Sequence, residues 1–328
     1  STLFPYTTLF RSPYSGFASV RGLKLDADTA LLSRLADRPN FTLIPNAEVR
    51  SLIGLPSASE TIVGVRLADG REYLAPRVLL AAGALHSPRL LSRYFIANGL
   101  DRELPAALNI GRHLKLHLLT AMVSIGPRRV SDLIRKTTVL VNERFPHSSV
   151  QPLGFDAELI ATLMPKAMPR IARRVLAERA YGFFLQTEDG SDARNRVREG
   201  APPVLDYDER RQSAALREHR AFTRALQLAL LRAGLVSVTK RIGLNGTAHA
   251  CGTLRCGNDA TTSVVDARGA VHGMRGLYVV DGSVLPRSSR VNPSLSIYAW
   301  GLRTADLVVR EHARSEVASL DREVEHAG

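Results

Sequence analysis

Only two cysteines, Cys251 and Cys256, occur in 328 residues, which excludes a disulfide framework and fits a reducing compartment such as the cytoplasm. Lysine is scarce as well, at positions 24, 115, 136, 166 and 240, so arginine supplies most of the 44 basic residues. The net charge of +13 suggests nucleic acid, but the arginines are scattered and no basic run is interleaved with aromatics. No nucleic-acid partner is therefore expected. No apolar run is long enough, and free enough of arginine, to cross a bilayer. Also absent is any G-x-G-x-x-G after a strand, the turn that approaches a dinucleotide pyrophosphate. What remains is the composition of a folded chain with a substantial core, 45% hydrophobic and 23% charged.

Residues 1–12, STLFPYTTLFRS, have neither an amphipathic period nor the order of a signal peptide. They resemble a translated adapter, so they are set apart as a non-native leader. The true N-terminus, and with it any export signal, is expected to lie out of view. From 26 to 37 apolar residues recur at helical spacing, and 41–44 read as a short strand. Runs at 61–67 and 72–74 flank Asp69-Gly70, a strong hairpin signal. The run VLLAA at 78–82 predicts a strand covered on both faces, followed by a helix with Ser87-Pro88 in its first turn.

The middle of the chain has a different texture. LLTAMVSI, TTVLVNERF and YGFFLQTED are rich in β-branched and aromatic residues and predict strands. Helical patterns cover 156–163, 170–180 and 213–233, the last ended by Gly234. This reads as an α+β domain with an antiparallel sheet, inserted between two pieces of an α/β domain. The boundaries fall at 13–112, 113–245 and 246–312, and 313–328 form a charged tail, either frayed helix or disordered.

The stretch from His249 to Asp306 carries the chemistry. A buried strand, LYVVDGS, and an apolar helix, SLSIYAWGLRTADLVV, lie around Asn292, with His249 upstream. An imidazole that takes a proton beside an amide that holds an oxygen is a site for oxidising an alcohol. His113 and His117 have the four-residue spacing of two metal ligands on one helical face. No third ligand is near in sequence, so no metal is expected. Cys251 and Cys256 lack partner ligands and read as buried, inert thiols. Ile297, Trp300, Gly301, Leu307 and Val308 form the stripe of a helix packed on a sheet.

HACGT at 249–253, SVVD at 263–266, VHG at 271–273, LYVVDGS at 277–283 and Asn292-Pro293 resemble the C-terminal signature of the glucose–methanol–choline (GMC) flavoprotein oxidoreductases. VLLAAGALHSP at 78–88, GRHLKLH at 111–117, and Glu188 followed by Asn195-Arg196-Val197 resemble upstream elements of the same family. The resemblance implies a partial FAD-binding Rossmann-like domain with its first strands missing, and an inserted substrate domain. It implies an FAD-dependent oxidation of a CH–OH group of an alcohol or sugar, with hydride passing to the flavin N5. His249 would be the general base and Asn292 the residue orienting the substrate oxygen. Val49, Ala82, Gly83, His117, Asp281, Gly282, Asn292, Pro293 and Ser294 would lie on the cofactor, although Val49 reads equally as a core valine. His113 and Leu116 replace the family's usual Asn and Asp, which blurs the substrate. The electron acceptor stays open between oxygen, a quinone and a cytochrome. The competing reading is a truncated, catalytically silent chain that does not retain FAD alone.

Overall fold

The computed structural model describes residues 26–130, 138–152, 157–247 and 249–327; the leader at 1–12 lies outside them. The fold is mixed α/β with several sheets. Its strands are β1 (Val49–Leu55), β2 (Ala58–Leu67), β3 (Glu72–Leu74), β4 (Val78–Leu80), β5 (His117–Ile125), β6 (Leu140–Asn142), β7 (Phe145–Pro152), β8 (Ala180–Glu188), β9 (Arg196–Arg198), β10 (Val204–Asp206), β11 (Val236–Ile242) and β12 (Leu277–Val279). The longer helices are α1 (Gly83–Ala97), α2 (Ala157–Leu163), α3 (Arg170–Ala177), α4 (Ser213–Arg232) and α5 (Ser294–Ala327). The chain divides into two compact units, one of residues 1–46, 118–187 and 215–247, the other of 47–117, 188–214 and 248–328.

In the first unit a five-stranded sheet runs in the order β11-β5-β8-β7-β6, with β11–β5, β8–β7 and β7–β6 antiparallel. Helix α4 buries Leu216, His219 and Phe222, one stripe at helical spacing, and Phe222 packs with Met122, Phe145, Val150 and Leu185. Residues 41–44 do not form the expected strand. The Phe41 amide closes back on the Arg38 carbonyl at 3.0 Å, so the run leaves a helical turn and keeps Leu43 and Ile44 exposed.

A polar chain ties α4 to four strands of that sheet. Arg241 Nη1 and Thr120 Oγ1 lie 2.8 and 2.7 Å from His219 Nε2. A guanidinium only donates, so Nε2 carries the lone pair and Nδ1 carries the proton. Nδ1 then donates to Thr187 Oγ1 at 2.7 Å, Thr187 to Ser148 at 2.8 Å, and Ser148 to Glu218 Oε1 at 2.8 Å.

The second unit holds the β1-β2-β3 meander. The Asp69-Gly70 hairpin forms as expected, whereas β1 is a strand that its sequence hides, because register shifts break its alternation. Strand β4 pairs in parallel with β12. The expected cover on both faces is only partial, since Leu80 is buried but Leu79 remains 42% exposed.

Helix α1 begins at Gly83, four residues before the expected start, so Pro88 lies inside it. The amide that Pro88 lacks would have bonded the Ala84 carbonyl. Thr253 Oγ1 donates to that carbonyl instead, at 2.7 Å. Leu91 and Phe95 on the inner face of α1 pack with Ile62, Leu277 and Val279. Helix α5 docks through Trp300, whose indole N–H reaches the Val279 carbonyl at 2.9 Å, and it continues through the residues read as a charged tail.

The His219 chain makes a pH dependence. Burial, then the charge of Arg241, holds this imidazole down at about 3, against an ordinary 6.5. Below pH 6.5 the unfolded chain takes up a proton that the folded chain refuses, so stability falls as pH drops toward 3. A single such group contributes a slope of up to ~1.4 kcal/mol per pH unit. His219→Asn should flatten the limb between pH 6.5 and the carboxylate range in denaturant titrations. An unchanged slope there would refute the assignment.

Candidate functional site

Asp281, just past β12, joins the motifs of the second unit. Its Oδ2 accepts from the Gly83 amide at 2.9 Å and from the Ser87 hydroxyl, and its Oδ1 accepts from the Ser283 amide at 2.8 Å. The carboxylate is therefore engaged within the chain. It fixes the turn between β4 and α1, where Gly83 takes φ +79°, open to an L-residue only at a cost of about 1–2 kcal/mol. Residues 252–256 run alongside 282–284, with Leu254 and Cys256 amides donating to Ser283 and Val284 carbonyls at 2.9 and 2.8 Å. The segment 111–117 closes the other side, through Gly111 N to Thr253 O at 2.8 Å and Leu114 N to Asn195 O at 2.9 Å.

Lys115 and Cys251 face each other in an antiparallel bridge, N–O 2.9 and 3.1 Å. Two residues outward on each side, that register sets His117 against His249. Their Nδ1 atoms lie 3.1 Å apart, and the rings meet edge to face with centroids 5.1 Å apart. His117 Nε2 lies 3.0 and 2.9 Å from the carbonyl oxygens of Ser288 and Ser289. Carbonyls only accept, so the His117 proton is on Nε2 and its Nδ1 accepts from His249 Nδ1. In the neutral His249 ring the lone pair then resides on Nε2. Burial holds His117 below the ordinary histidine range, and the two carbonyls partly offset this. His249 has φ +67°, a left-handed conformation uncommon for a residue with a Cβ and worth a functional explanation.

The pair rests on a buried acidic dipeptide. Glu188 takes a two-point ion pair from Arg287, at 2.8 and 2.7 Å. Asp189, 2% exposed, accepts from the Leu116 amide at 2.7 Å, the Tyr207 hydroxyl at 3.0 Å and the Ser288 hydroxyl at 3.0 Å. Burial pushes its carboxyl up to about 7, against the pull of those donors and of Lys115. Lys115 is itself buried and lowered by burial; its ammonium donates to the His113 carbonyl at 3.0 Å. Gly252 allows this, since a Cβ there would lie 2.8 Å from the ammonium. Burial, then the Asp189 charge, raises the Cys251 thiol to about 12, and burial raises the half-buried Cys256.

His113 and His117 do not share a helical face. His113 sits in a bend with φ +59° and His117 opens β5, and His113 Nδ1 meets Ser191 Oγ at 2.9 Å instead. Among the described residues no three His, Cys, Asp or Glu side chains gather as a metal site. Asn292 is exposed, three residues past Ser289, which bounds their separation at roughly 11 Å. Pro293 is buried and Ser294 opens α5. Ala82 is exposed beside Gly83, Gly282 is buried, and Val49 begins β1 half-buried against the core. Asp189, Ser288 and Ser289 are absent from the sequence-based set. A carboxylate directly after Glu188 was the available signal for the first; the serines act on His117 through carbonyls and leave none.

A family model for GMC oxidoreductase matches residues 194–301. Paromamine 6'-oxidase of Streptomyces fradiae is 35% identical over 325 residues, covering 89% of this chain and 58% of the relative. The 6'''-hydroxyparomomycin C oxidase of Streptomyces lividus is 29% identical, covering 91% and 57%. The chain thus spans less than two thirds of the length of either. The crystal structure of pyridoxine 4-oxidase from Mesorbium loti is similar in fold, with TM-score 0.58 and 22% identity over 86% of this chain and 60% of that one. By these matches the chain belongs to the GMC oxidoreductase family.

Proposed function

We propose that the chain serves an FAD-dependent oxidation of a CH–OH group of an alcohol or sugar, with His249 as general base and Asn292 orienting the substrate oxygen. The observation that carries this reading is the imidazole pair. Two carbonyls fix the His117 proton on Nε2, so His117 accepts from His249 and leaves the basic nitrogen of His249 at Nε2. A base whose tautomer is set before substrate arrives accepts the hydroxyl proton without first reorienting. The Asn292 amide can donate to the same oxygen as negative charge develops there. When bound, FAD supplies the acceptor for the hydride that leaves the carbinol carbon.

The residues present fit such a cofactor at the carboxyl ends of the parallel strands β4 and β12, where α/β sheets bind nucleotide-type ligands. Ala81 and Ala82 are exposed there, and a Cβ on Gly83 would meet nothing within 4 Å. Ala82, Gly83, Gly282 and residues 292–294 at the N-terminus of α5 would hold it, and the Val49 backbone belongs to the same proposal. Asp281 contributes by fixing the turn. In this reading His117 backs the base. Paromamine and 6'''-hydroxyparomomycin C, the compounds named for the two Streptomyces relatives, are the first substrates to assay, with oxygen, a quinone and a cytochrome as acceptors.

One observation favours the second reading, a chain that does not retain FAD by itself. Among the described residues β4 and β12 form a parallel sheet of two strands, and Leu79 stays 42% exposed. The visible absorbance of the purified chain separates the two: a flavin spectrum after gel filtration removes the second reading. In the flavin-loaded enzyme, His249→Ala should slow flavin reduction by alcohol about 10²- to 10⁴-fold while the flavin stays bound. Unchanged reduction kinetics would show that another group takes the proton. Asn292→Ala should slow the same step by roughly 10- to 10³-fold; loss of flavin instead would move Asn292 to the cofactor site.

A further inference from the structure

Of the groups around the imidazole pair, one touches neither ring and yet holds both segments that shape its surroundings. Asp189 binds the Leu116 amide, adjacent to His117, and the hydroxyl of Ser288, whose carbonyl accepts from His117 Nε2. It also binds the Tyr207 hydroxyl, so all three of its partners are donors and the ionised carboxylate suits them. Glu188 next to it pairs with Arg287. We propose that Asp189 is a positioning residue that sets the tautomers of His117 and His249 by tying residue 116 to residue 288. Its part in the reaction rests on the reading of His249 as the base.

The argument follows the hydrogen bonds. His117 keeps its proton on Nε2 because two carbonyls are there to receive it. The Ser288 carbonyl is held in place by its own side chain on Asp189, and the His117 backbone is held through the Leu116 amide on the same carboxylate. Without Asp189, the Ser288 hydroxyl and the Leu116 amide each lose a buried acceptor, and buried donors are not left unpaired without local rearrangement. Ser288 and Ser289 are adjacent, so release of the Ser288 side chain shifts both carbonyls away from Nε2, and the proton distributes between the two ring nitrogens. His249 loses a fixed acceptor at its Nδ1 in consequence. The nearby charges do not substitute. Lys115 donates to the His113 carbonyl, and Arg287 is paired with Glu188.

The test is ring-nitrogen NMR of the chain labelled with ¹⁵N-histidine, because protonated and lone-pair imidazole nitrogens resonate far apart. In the unaltered chain His117 should show a protonated Nε2, and His249 a protonated Nδ1. Asp189→Ala should lose this pattern at His117 and His249 while His86 and His272 are unmoved and the circular dichroism is retained. An unchanged pattern in folded Asp189→Ala would overturn the proposal. If that variant does not fold, Ser288→Ala deletes only the hydroxyl that Asp189 holds; loss of the His117 pattern in it supports the proposal, and retention overturns it. The measurement needs neither flavin nor substrate. Normal flavin reduction in His249→Ala would therefore sink the base assignment alone, and an unmoved NMR pattern would sink the role of Asp189 alone.

Discussion

A carboxylate taken out of water must be given donors in exchange, and at Asp281 that requirement joins elements far apart in sequence. Its three donors come from the turn after β4, from the first turns of α1 and from the residues that follow β12. With those donors in place the two parallel strands end at one level, α1 starts at Gly83, and residues 252–256 lie beside 282–284. A neutral isostere would accept fewer of those bonds, and the carboxylate would be expensive to bury with fewer. The geometry of His249 is downstream of this joint.

The same rule operates at Asp189, with a different result. Asp281 takes two backbone amides and one hydroxyl. Asp189 gathers one amide and two hydroxyls from three separate segments, and burial raises its carboxyl to about 7 against their pull. The first arrangement builds the frame, and the second bears on the rings. Between them lies a backbone in an uncommon conformation at His249, held by the Lys115–Cys251 bridge. Under the proposed function such placement matters, since a misplaced base loses most of its advantage.

Much of this was legible in the sequence wherever a single residue type answers to a single physical demand. Asp69-Gly70 named a hairpin, Gly234 ended α4, and the apolar stripe from Ile297 to Val308 named a helix that packs. The GMC motifs were legible because they are long and ordered. Interactions made through the backbone were not. Nothing about Ser288 and Ser289 announces carbonyls aimed at an imidazole, and the four-residue spacing of His113 and His117 suggested a helix where the chain bends at His113 and enters a strand at His117. The start of α1 was misplaced because Pro88 looks like a first-turn residue when its remote partner is unknown. Strand β1 was hidden because its bulges erase the alternation on which recognition depends.

That partner has a consequence for how this chain can vary. The Pro88 ring removes an amide inside α1, and the hydroxyl of Thr253 fills the vacancy at Ala84, 169 positions from it. While the proline stays, the threonine is not free to drift alone. Replace the threonine with valine and a buried carbonyl is orphaned; replace the proline with alanine and the helix satisfies itself, releasing position 253 from its obligation. Serine at 253 would preserve the bond, so the tolerated histories run through a shared hydroxyl or through loss of the proline first. The two sites form one heritable unit, written in two motifs that look independent on the page.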